Sequence, residues 1–212
     1  FGGVVRDIPD FAMQKIKDLV LERLPAKTDE MERFLNENEV LVARLKGIHV
    51  LNAEEAIRFS VTGPVLRAAG VPYDLRRADP YSIYDRFDFD VAVRHNADML
   101  DNYLIRFDEI RQSLRILEQA LKQIPDGPIN SQKPAYQVRV PAGEAYGRIE
   151  SPKGELAFYV VSNGKPNPYR YHVRPASFVN LQAVESMCIG AKIADFVALL
   201  AMFDIVMGEL DR

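Results

Sequence analysis

The stretch FDIVMGELDR at the end of the sequence combines residue types that could build the wall of a site. It places the acids Asp204 and Glu209 on either side of the aliphatic Val206, directly after an apolar helical segment. Aliphatic side chains with a few polar groups among them are typical of ligand pockets. The alternative is a solvated chain end, because terminal residues are often poorly ordered. The two interpretations differ in whether this segment packs against the rest of the chain.

Two further clusters present polar side chains at predicted turns. In ESPKGEL, a rigid Pro-Lys-Gly turn presents Lys153 beside Glu155, although a lysine in a turn is usually solvated. In VRPASFVNLQ, Arg174 is followed by Ser177 and Asn180. The plain explanation of this third cluster is that Ser177 or Asn180 caps the next helix, since both residue types are frequent N-caps. Neither cluster is specific for a function by itself.

The fourth cluster is LRAAGVPYDLRR, which concentrates charge in a stretch rich in turn residues. It contains Arg67, Asp74, Arg76 and Arg77. One interpretation is that ion pairs within the chain tie a loop down. The other is that these side chains form a charged lining or a contact surface for another subunit. The residues alone do not separate the two.

Composition excludes several classes of function. With 27 basic and 30 acidic residues, the chain lacks the basic excess of a nucleic-acid-binding protein. The single cysteine, Cys188, excludes an internal disulfide and any multi-thiolate metal or iron–sulfur site built by this chain alone, and it is typical of a reducing compartment. The histidines, His49, His95 and His172, lack metal-ligand spacing. There is no apolar run close to the length of a membrane span.

The size of the chain bounds its organisation. Its 212 residues, of which 48% are hydrophobic, suffice for one large domain or two small ones with a buried core. The beginning, FGGVVRDIPDF, has no initiator methionine and resembles the interior of a chain. We therefore expect a fragment of a longer protein or a processed product.

Helical spacing of apolar residues dominates the sequence. We predict that Pro25 ends the first helix, and that a capping box of Asn52 and Glu55 begins a short one further on. The clearest prediction is a long bundle helix whose apolar residues recur at steps of three and four. The predicted longer helices span residues 10–24, 28–46, 95–124, 180–188 and 191–203.

The remaining segments depart from helical spacing. Alternation predicts three strands near 145–150, 155–162 and 168–174, with a turn around Asn163–Gly164. Residues 61–92 mix Gly, Pro, Arg, Asp and Tyr, and we predict an irregular segment that is functional or wrapped against a partner. The sequence therefore predicts a mainly helical α+β chain, with a helix bundle in 1–128 and a small antiparallel sheet followed by apolar helices in 135–212. We expect these final helices to pack back so that the tail, residues 204–212, is ordered and buried.

Taken together and in this order, these stretches resemble a known family. PKGEL, SNG, PYR, VRPASFVNLQ and ADFVALLAMFDIVMGELDR are similar to the 49-kDa, or D, subunit of proton-pumping NADH:quinone oxidoreductases, the respiratory complex I. Upstream, TGPVLRAAGVPYDLR, YSIYDRFDFDV and NYLIRFDEIRQSLRILEQAL match the same subunit. The resemblance covers nearly the whole chain and corresponds to the C-terminal half of that subunit.

The resemblance extends to the large subunit of nickel–iron hydrogenases, from which this family descends, and implies a similar fold. Hydrogenases end in a D-P-C-x-x-C pattern whose thiolates hold the metals. Asp204 matches the aspartate, Val206 the first cysteine and Glu209 the second. Without thiolates this tail cannot hold a metal, so the resemblance implies that the old metal pocket has become a quinone cavity lined by Lys153, Asp204, Val206 and Met207, with residues 135–212 forming that part of the wall.

The resemblance also implies partners and a location. They are an iron–sulfur subunit of the B type that carries a [4Fe-4S] cluster, a membrane subunit at the quinone site and a peripheral subunit of the C type. The complex would sit on the cytoplasmic side of the cell membrane, with this chain peripheral to the bilayer. The residues expected at the subunit or cluster interface are Arg67, Asp74, Arg76, Arg174 and Arg212. No cofactor is expected to bind this chain alone, and quinone is the expected substrate.

Departures from the family pattern keep alternatives open. A His and a Tyr that family members carry in their N-terminal half are absent, so we expect the isolated chain to be inactive. The short INSQKPAYQVRVPAGEAYG connector resembles shorter members, including archaeal dehydrogenases that reduce a phenazine. A structural or assembly module without quinone contact is another alternative. A hydrogenase-like metalloenzyme is disfavoured by the missing thiolates.

Overall fold

A computed structural model describes residues 3–130 and 139–211 of the chain. The described part is a mainly helical α+β fold, as predicted, with a small antiparallel sheet. The helices are α1 (Asp10–Asp18), α2 (Leu24–Asn36), α3 (Glu39–Leu45), α4 (Ala53–Arg58), α5 (Pro64–Ala68), α6 (Leu75–Ala78), α7 (Met99–Lys122), α8 (Ala176–Asn180), α9 (Val184–Cys188), α10 (Ile193–Phe203) and α11 (Met207–Leu210). The strands are β1 (Gly143–Ser151), β2 (Gly154–Ser162) and β3 (Arg170–Arg174).

The first helix passes through Pro25, so the prediction that this proline ends it is wrong. A π-helical segment, Leu19–Arg23, joins α1 to α2 and lies directly before the proline. There the N–H of Leu24 donates to the carbonyl of Leu19, five residues back. The wider turn changes the carbonyl spacing at the point where a proline ring would crowd an α-helix. The chain breaks instead at Asn38, whose side chain accepts from two backbone N–H groups at the start of α3.

Two other helix boundaries follow from side-chain caps. Asn52 begins α4 by accepting from the N–H of Glu55 at 2.9 Å, as the capping box predicts. Helix α7 begins at Met99 because Asp98 accepts from the N–H of Asp101 at 2.8 Å. The other carboxylate oxygen of Asp98 accepts from the N–H of Gly47 at 2.8 Å, which ties the end of α3 to α7. The long helix is therefore four residues shorter at its start than its apolar pattern predicts.

The segment 61–92 contains part of the hydrophobic core. It includes α5, whose five residues are all buried, together with α6 and a 3-10 turn at Tyr84–Arg86. Helices of four or five residues are too short to show an apolar period, which is why the sequence predicts an irregular segment here. The core cluster joins this segment to the C-terminal helices; its buried members are Leu51, Ala56, Val61, Val65, Leu66, Ala69, Ala97, Ala183, Leu199 and Phe203.

The sheet is a meander in the order β1-β2-β3, with both pairs antiparallel, as predicted. A two-residue turn, Pro152–Lys153, joins β1 to β2, because Ser151 pairs with Gly154. The division of the chain into a bundle part and a sheet part stays a prediction. The turn approaches the start of α5 closely, where Gly63 meets Lys153 and Gly154.

Two glycines make that approach possible. A Cβ on Gly154 would lie 2.4 Å from the hydroxyl oxygen of Thr62, and a Cβ on Gly63 would lie 2.4 Å from the carbonyl oxygen of Lys153. Both glycines also have positive φ, 75° at Gly63 and 130° at Gly154, which L side chains rarely adopt. The β1–β2 turn is therefore seated directly on the start of α5.

We predict that Gly154→Ala lowers the free energy of unfolding by more than about 2 kcal/mol, since it combines backbone strain with a clash against Thr62. Gly147→Ala is the matched control, because it lies in the same sheet and a Cβ there meets nothing within 4 Å. Urea unfolding followed by circular dichroism measures both. Equal stability of the two variants would contradict the close packing of the turn.

Candidate functional site

An open cleft of about 440 Å³ lies where the β1–β2 turn, α7 and the end of α10 meet. Two of the four predicted quinone-site residues line it, Lys153 from the turn and Asp204 from the residue after α10, whereas Val206 and Met207 are not among its lining residues. The predicted interface residues Arg67 and Arg76 also line it. A cavity of about 580 Å³ between residues 47–50 and the α9–α10 turn is larger, but it contains none of the predicted site residues. We therefore take the smaller cleft as the candidate site.

The structure brings Lys153 and Asp204 together across 51 positions of sequence, and their side chains form an ion pair. Asp204 adopts a left-handed conformation, with φ of 52°, and ends α10. The lysine side chain is 15% exposed and that of the aspartate is 54% exposed. The pair thus lies at the mouth of the cleft, where Asp204 remains accessible to water.

Arg106 of α7 is a second cation at this site, and it is not among the site residues predicted from the sequence. Its Nη1 lies 3.9 Å from a carboxylate oxygen of Asp204, and its Nη2 donates to the carbonyl of Met202 at 3.2 Å. Burial lowers the pKa of Arg106, against the opposing effect of Glu109 and Asp204. The sequence prediction counts Arg106 among the charges off the apolar side of the long helix. The signal that could have found it is its spacing, because it lies three residues after Tyr103 and four before Ile110, both on the apolar side.

A buried ion-pair network forms the back of the cleft. Arg67 is 2% exposed; its Nε donates to Glu109 at 2.7 Å and its Nη1 to Glu150 at 2.8 Å. Burial by itself lowers the pKa of Arg67, but Glu109 and Glu150 raise it above its ordinary value. Burial raises the pKa of Glu150. The network joins α5 to α7 and β1, and Arg67 stays charged.

Asp74 extends the network to Arg76. Its carboxylate caps α6 by accepting from the N–H of Arg76 at 2.9 Å, and it also pairs with the Arg76 guanidinium at 2.6 Å. Both Arg67 and Asp74 are buried within this chain. This agrees with the interpretation that the charges of the LRAAGVPYDLRR cluster form ion pairs that tie a loop down. A role for Arg67, Asp74 and Arg76 at a subunit or cluster interface stays a prediction.

The predicted capping by Ser177 or Asn180 is wrong. Helix α8 follows Pro175 and has no side-chain cap at that position. The N–H of Ser177 donates instead to the carboxylate of Glu209 at 2.7 Å, so the tail caps this helix from a distance. Arg174, just before, donates to the carbonyls of Glu155 at 2.5 Å and Ser60 at 3.0 Å.

The C-terminal segment packs against the rest of the chain, as predicted, because Val206 and Glu209 both hydrogen-bond to Ser177. It is less buried than expected. Val206 is 40% exposed and Met207 is 72% exposed, so the expectation of a buried tail is wrong for these side chains. Ile205, between Asp204 and Val206, packs against the hydrophobic core instead. The predicted interface residue Arg212 lies outside the described residues.

Comparison with known proteins decides the family. The sequence matches the family described as "Respiratory-chain NADH dehydrogenase, 49 Kd subunit" in two stretches, residues 1–139 and 135–212. The chain belongs to this 49-kDa subunit family. The resemblance noted from the sequence is thereby confirmed.

Curated members of the 49-kDa subunit family are similar over the full chain. A D-type subunit of the NADH-quinone oxidoreductase of Roseiflexus sp. (strain RS-1) is 50% identical over 219 residues, which cover 100% of this chain and 58% of the relative. The D-type subunit of Dehalococcoides mccartyi (strain ATCC BAA-2266 / KCTC 15142 / 195) is 50% identical over 212 residues, 57% of its length. One from Herpetosiphon aurantiacus is 51% identical over 215 residues, 58% of its length. The chain thus spans somewhat more than half of these relatives.

None of the helices in residues 3–130 and 139–211 combines the length and the apolar character needed to cross a bilayer.

The Asp74 carboxylate predicts a pH dependence of stability. Burial would raise the pKa of Asp74, but hydrogen bonds from Arg76 and the charge of Arg67 lower it below its ordinary value. A carboxylate with a lowered folded pKa stabilises the fold above its ordinary pKa, and this contribution is lost as pH falls through the folded value. Asp74→Asn keeps the helix cap but removes the charge.

We therefore expect Asp74→Asn to be less stable than the wild type by about 3 kcal/mol at pH 7, with the difference shrinking as pH falls below about 4. Urea unfolding at several pH values measures this difference. The raised pKa of Glu150 acts in the opposite direction; burial, its largest cause, is common to both proteins, whereas the smaller contribution of the Asp74 charge is lost in the variant. Asp85→Asn, at an exposed position, is the control. A stability difference that does not change with pH would contradict the charged network.

Proposed function

We propose that this chain forms part of the quinone-reducing core of an NADH:quinone oxidoreductase of the complex I type. Lys153, Asp204, Val206 and Met207 line the quinone cavity. The observation that carries the proposal is the Lys153–Asp204 ion pair at the mouth of an open cleft. The names of the similar relatives, all of them NADH-quinone oxidoreductase subunits, agree with it.

The chemistry of the cleft suits a quinone head group. A quinone is flat and largely apolar and carries two carbonyl acceptors, so it needs an apolar wall and few donors. Val206 and Met207 offer exposed apolar side chains next to Asp204. Lys153 donates to a quinone oxygen, and Arg106 adds a second positive charge. Both cations stabilise the negative charge that reduction places on the oxygens.

The electrons must come from a partner, because a single cysteine cannot hold an iron–sulfur cluster. An iron–sulfur subunit of the B type with a [4Fe-4S] cluster supplies them. A membrane subunit closes the quinone site, and a C-type subunit flanks it, with this chain peripheral on the cytoplasmic side of the membrane. The proposed interface with these partners comprises Arg67, Asp74, Arg76, Arg174 and Arg212. Within it, Asp74 holds the Arg76 guanidinium at 2.6 Å.

The first test removes the cation. In the assembled complex that contains this chain, we expect Lys153→Met to lower the turnover of decylubiquinone with NADH by about 100-fold, which is typical for loss of one preorganised donor. Lys165→Met, in the exposed β2–β3 turn, is the matched control and keeps wild-type turnover. Wild-type turnover in Lys153→Met, with normal assembly, would support a structural module without quinone contact.

The second test changes the wall. Val206→Met adds length to an exposed side chain two residues after Asp204, in the proposed cavity wall, so we expect KM for decylubiquinone to rise by about tenfold with little loss of assembly. Val197→Met is the control, because Val197 is also exposed but lies within α10, seven residues before Asp204 and outside the proposed wall. Steady-state kinetics of the two complexes give both constants. An unchanged KM in Val206→Met would remove the tail from the proposed cavity.

A further inference from the structure

Helix α8 lies between the two segments that carry the proposed quinone-site residues. The side chain of Asn180, at its end, is 1% exposed and makes three hydrogen bonds. Its Oδ1 accepts from the N–H of Thr62 at 2.9 Å, and its Nδ2 donates to the carbonyls of Thr62 at 3.2 Å and Lys153 at 3.1 Å. One amide thus joins the start of α5 to the turn that presents the lysine.

This contact acts on a turn with little freedom of its own. Pro152 and Lys153 are the only two residues between the paired strands at this end, so fixing the Lys153 carbonyl also fixes the direction in which its side chain leaves. Two residues further on, the N–H of Glu155 donates to the Thr62 hydroxyl at 3.1 Å. Asn180 and Thr62 therefore fix the chain at Lys153 and at the start of β2.

The other end of α8 holds the tail. Ser177 is 3% exposed, and its hydroxyl accepts from the N–H of Val206 at 3.3 Å. Its own N–H donates to Glu209 at 2.7 Å. The same short helix therefore hydrogen-bonds to the backbone of Lys153, which supplies the cation of the site, and to the backbone of Val206, which belongs to its proposed aliphatic wall.

We propose that α8 is the positioning element of the site: Asn180 sets the place of Lys153, and Ser177 sets the place of Val206. This inference rests on the proposed function, because it concerns residues that act through the quinone-site side chains. Neither Asn180 nor Ser177 lines the cleft. They are positioning residues, and their effects must pass through Lys153 and Val206.

A double-mutant cycle in the assembled complex tests the Asn180 arm. Asn180→Asp keeps the size and the acceptor for the Thr62 N–H, but it replaces the donor to the carbonyls of Lys153 and Thr62 with an oxygen that repels them. We expect turnover of decylubiquinone to fall by about tenfold to 100-fold, since a shift of about 1 Å can cost that much. In a Lys153→Met background the same change has no further effect, because the group it positions is already gone.

The outcomes separate this inference from the proposed function. If Lys153→Met leaves turnover unchanged, the proposed function fails and the inference falls with it. If Lys153→Met lowers turnover but Asn180→Asp does not, or if the two effects multiply, only the positioning role is overturned. Asn102→Asp is the matched control, because Asn102 is a buried asparagine of α7 that bonds to Asp98 and lies outside the cleft. It keeps wild-type turnover whenever the complex assembles.

The Ser177 arm keeps the inference testable if the Asn180 variants do not assemble. Ser177→Ala removes the acceptor for the Val206 N–H, and we expect KM for decylubiquinone to rise about threefold to tenfold while kcat changes less. Ser186→Ala is the control, because that hydroxyl donates to the nearby Ala183 carbonyl within the C-terminal helices. We expect this variant to leave KM unchanged. If Ser177→Ala lowers kcat and leaves KM alone, or changes neither, α8 does not position the wall.

Discussion

A single buried guanidinium, that of Arg67, is the interaction on which the candidate site depends. Burying an isolated charge costs several kcal/mol unless partners satisfy it. Here Glu109 of α7 and Glu150 of β1 do so, at 2.7 and 2.8 Å. Because each partner comes from a different element, satisfying the charge also fixes α5, α7 and β1 against one another. The cleft is the space left in front of that junction.

The same junction explains why the sheet carries a site residue at its turn. Strand β1 is held by Glu150 near its end, and the chain then has two residues in which to reverse before Gly154. The turn can reverse against α5 only because Gly63 and Gly154 have no side chains in the contact. A rigid turn on a rigid support gives Lys153 a defined position, which is the requirement for a preorganised donor.

Long periodic elements and chemical identity could be predicted from the sequence, whereas contacts between distant segments could not. The long helix α7 and the three strands follow from their apolar periods, and the resemblance to the 49-kDa subunit family implies that Lys153 and Asp204 share a site. The prediction that Pro25 ends a helix is wrong because the π-helical turn directly before it accommodates the proline ring. Ser177 and Asn180 have the residue types of helix caps, yet they bond to groups 29 and 118 positions away. No local pattern specifies such partners.

The burial of each carboxylate decides which cations of the cleft remain available to a ligand. Arg67 is committed to Glu109 and Glu150, and Arg76 to Asp74, in surroundings where an unpaired charge would be costly. Lys153 and Arg106 share Asp204, whose side chain is 54% exposed, so its carboxylate regains water easily if either cation turns away. The two cations themselves are largely buried, at 15% and 24% exposed, so an acceptor that displaces the carboxylate must satisfy their charge in its place. An incoming acceptor therefore competes with Asp204 for Lys153 and Arg106, whereas the cations behind them stay with the fold.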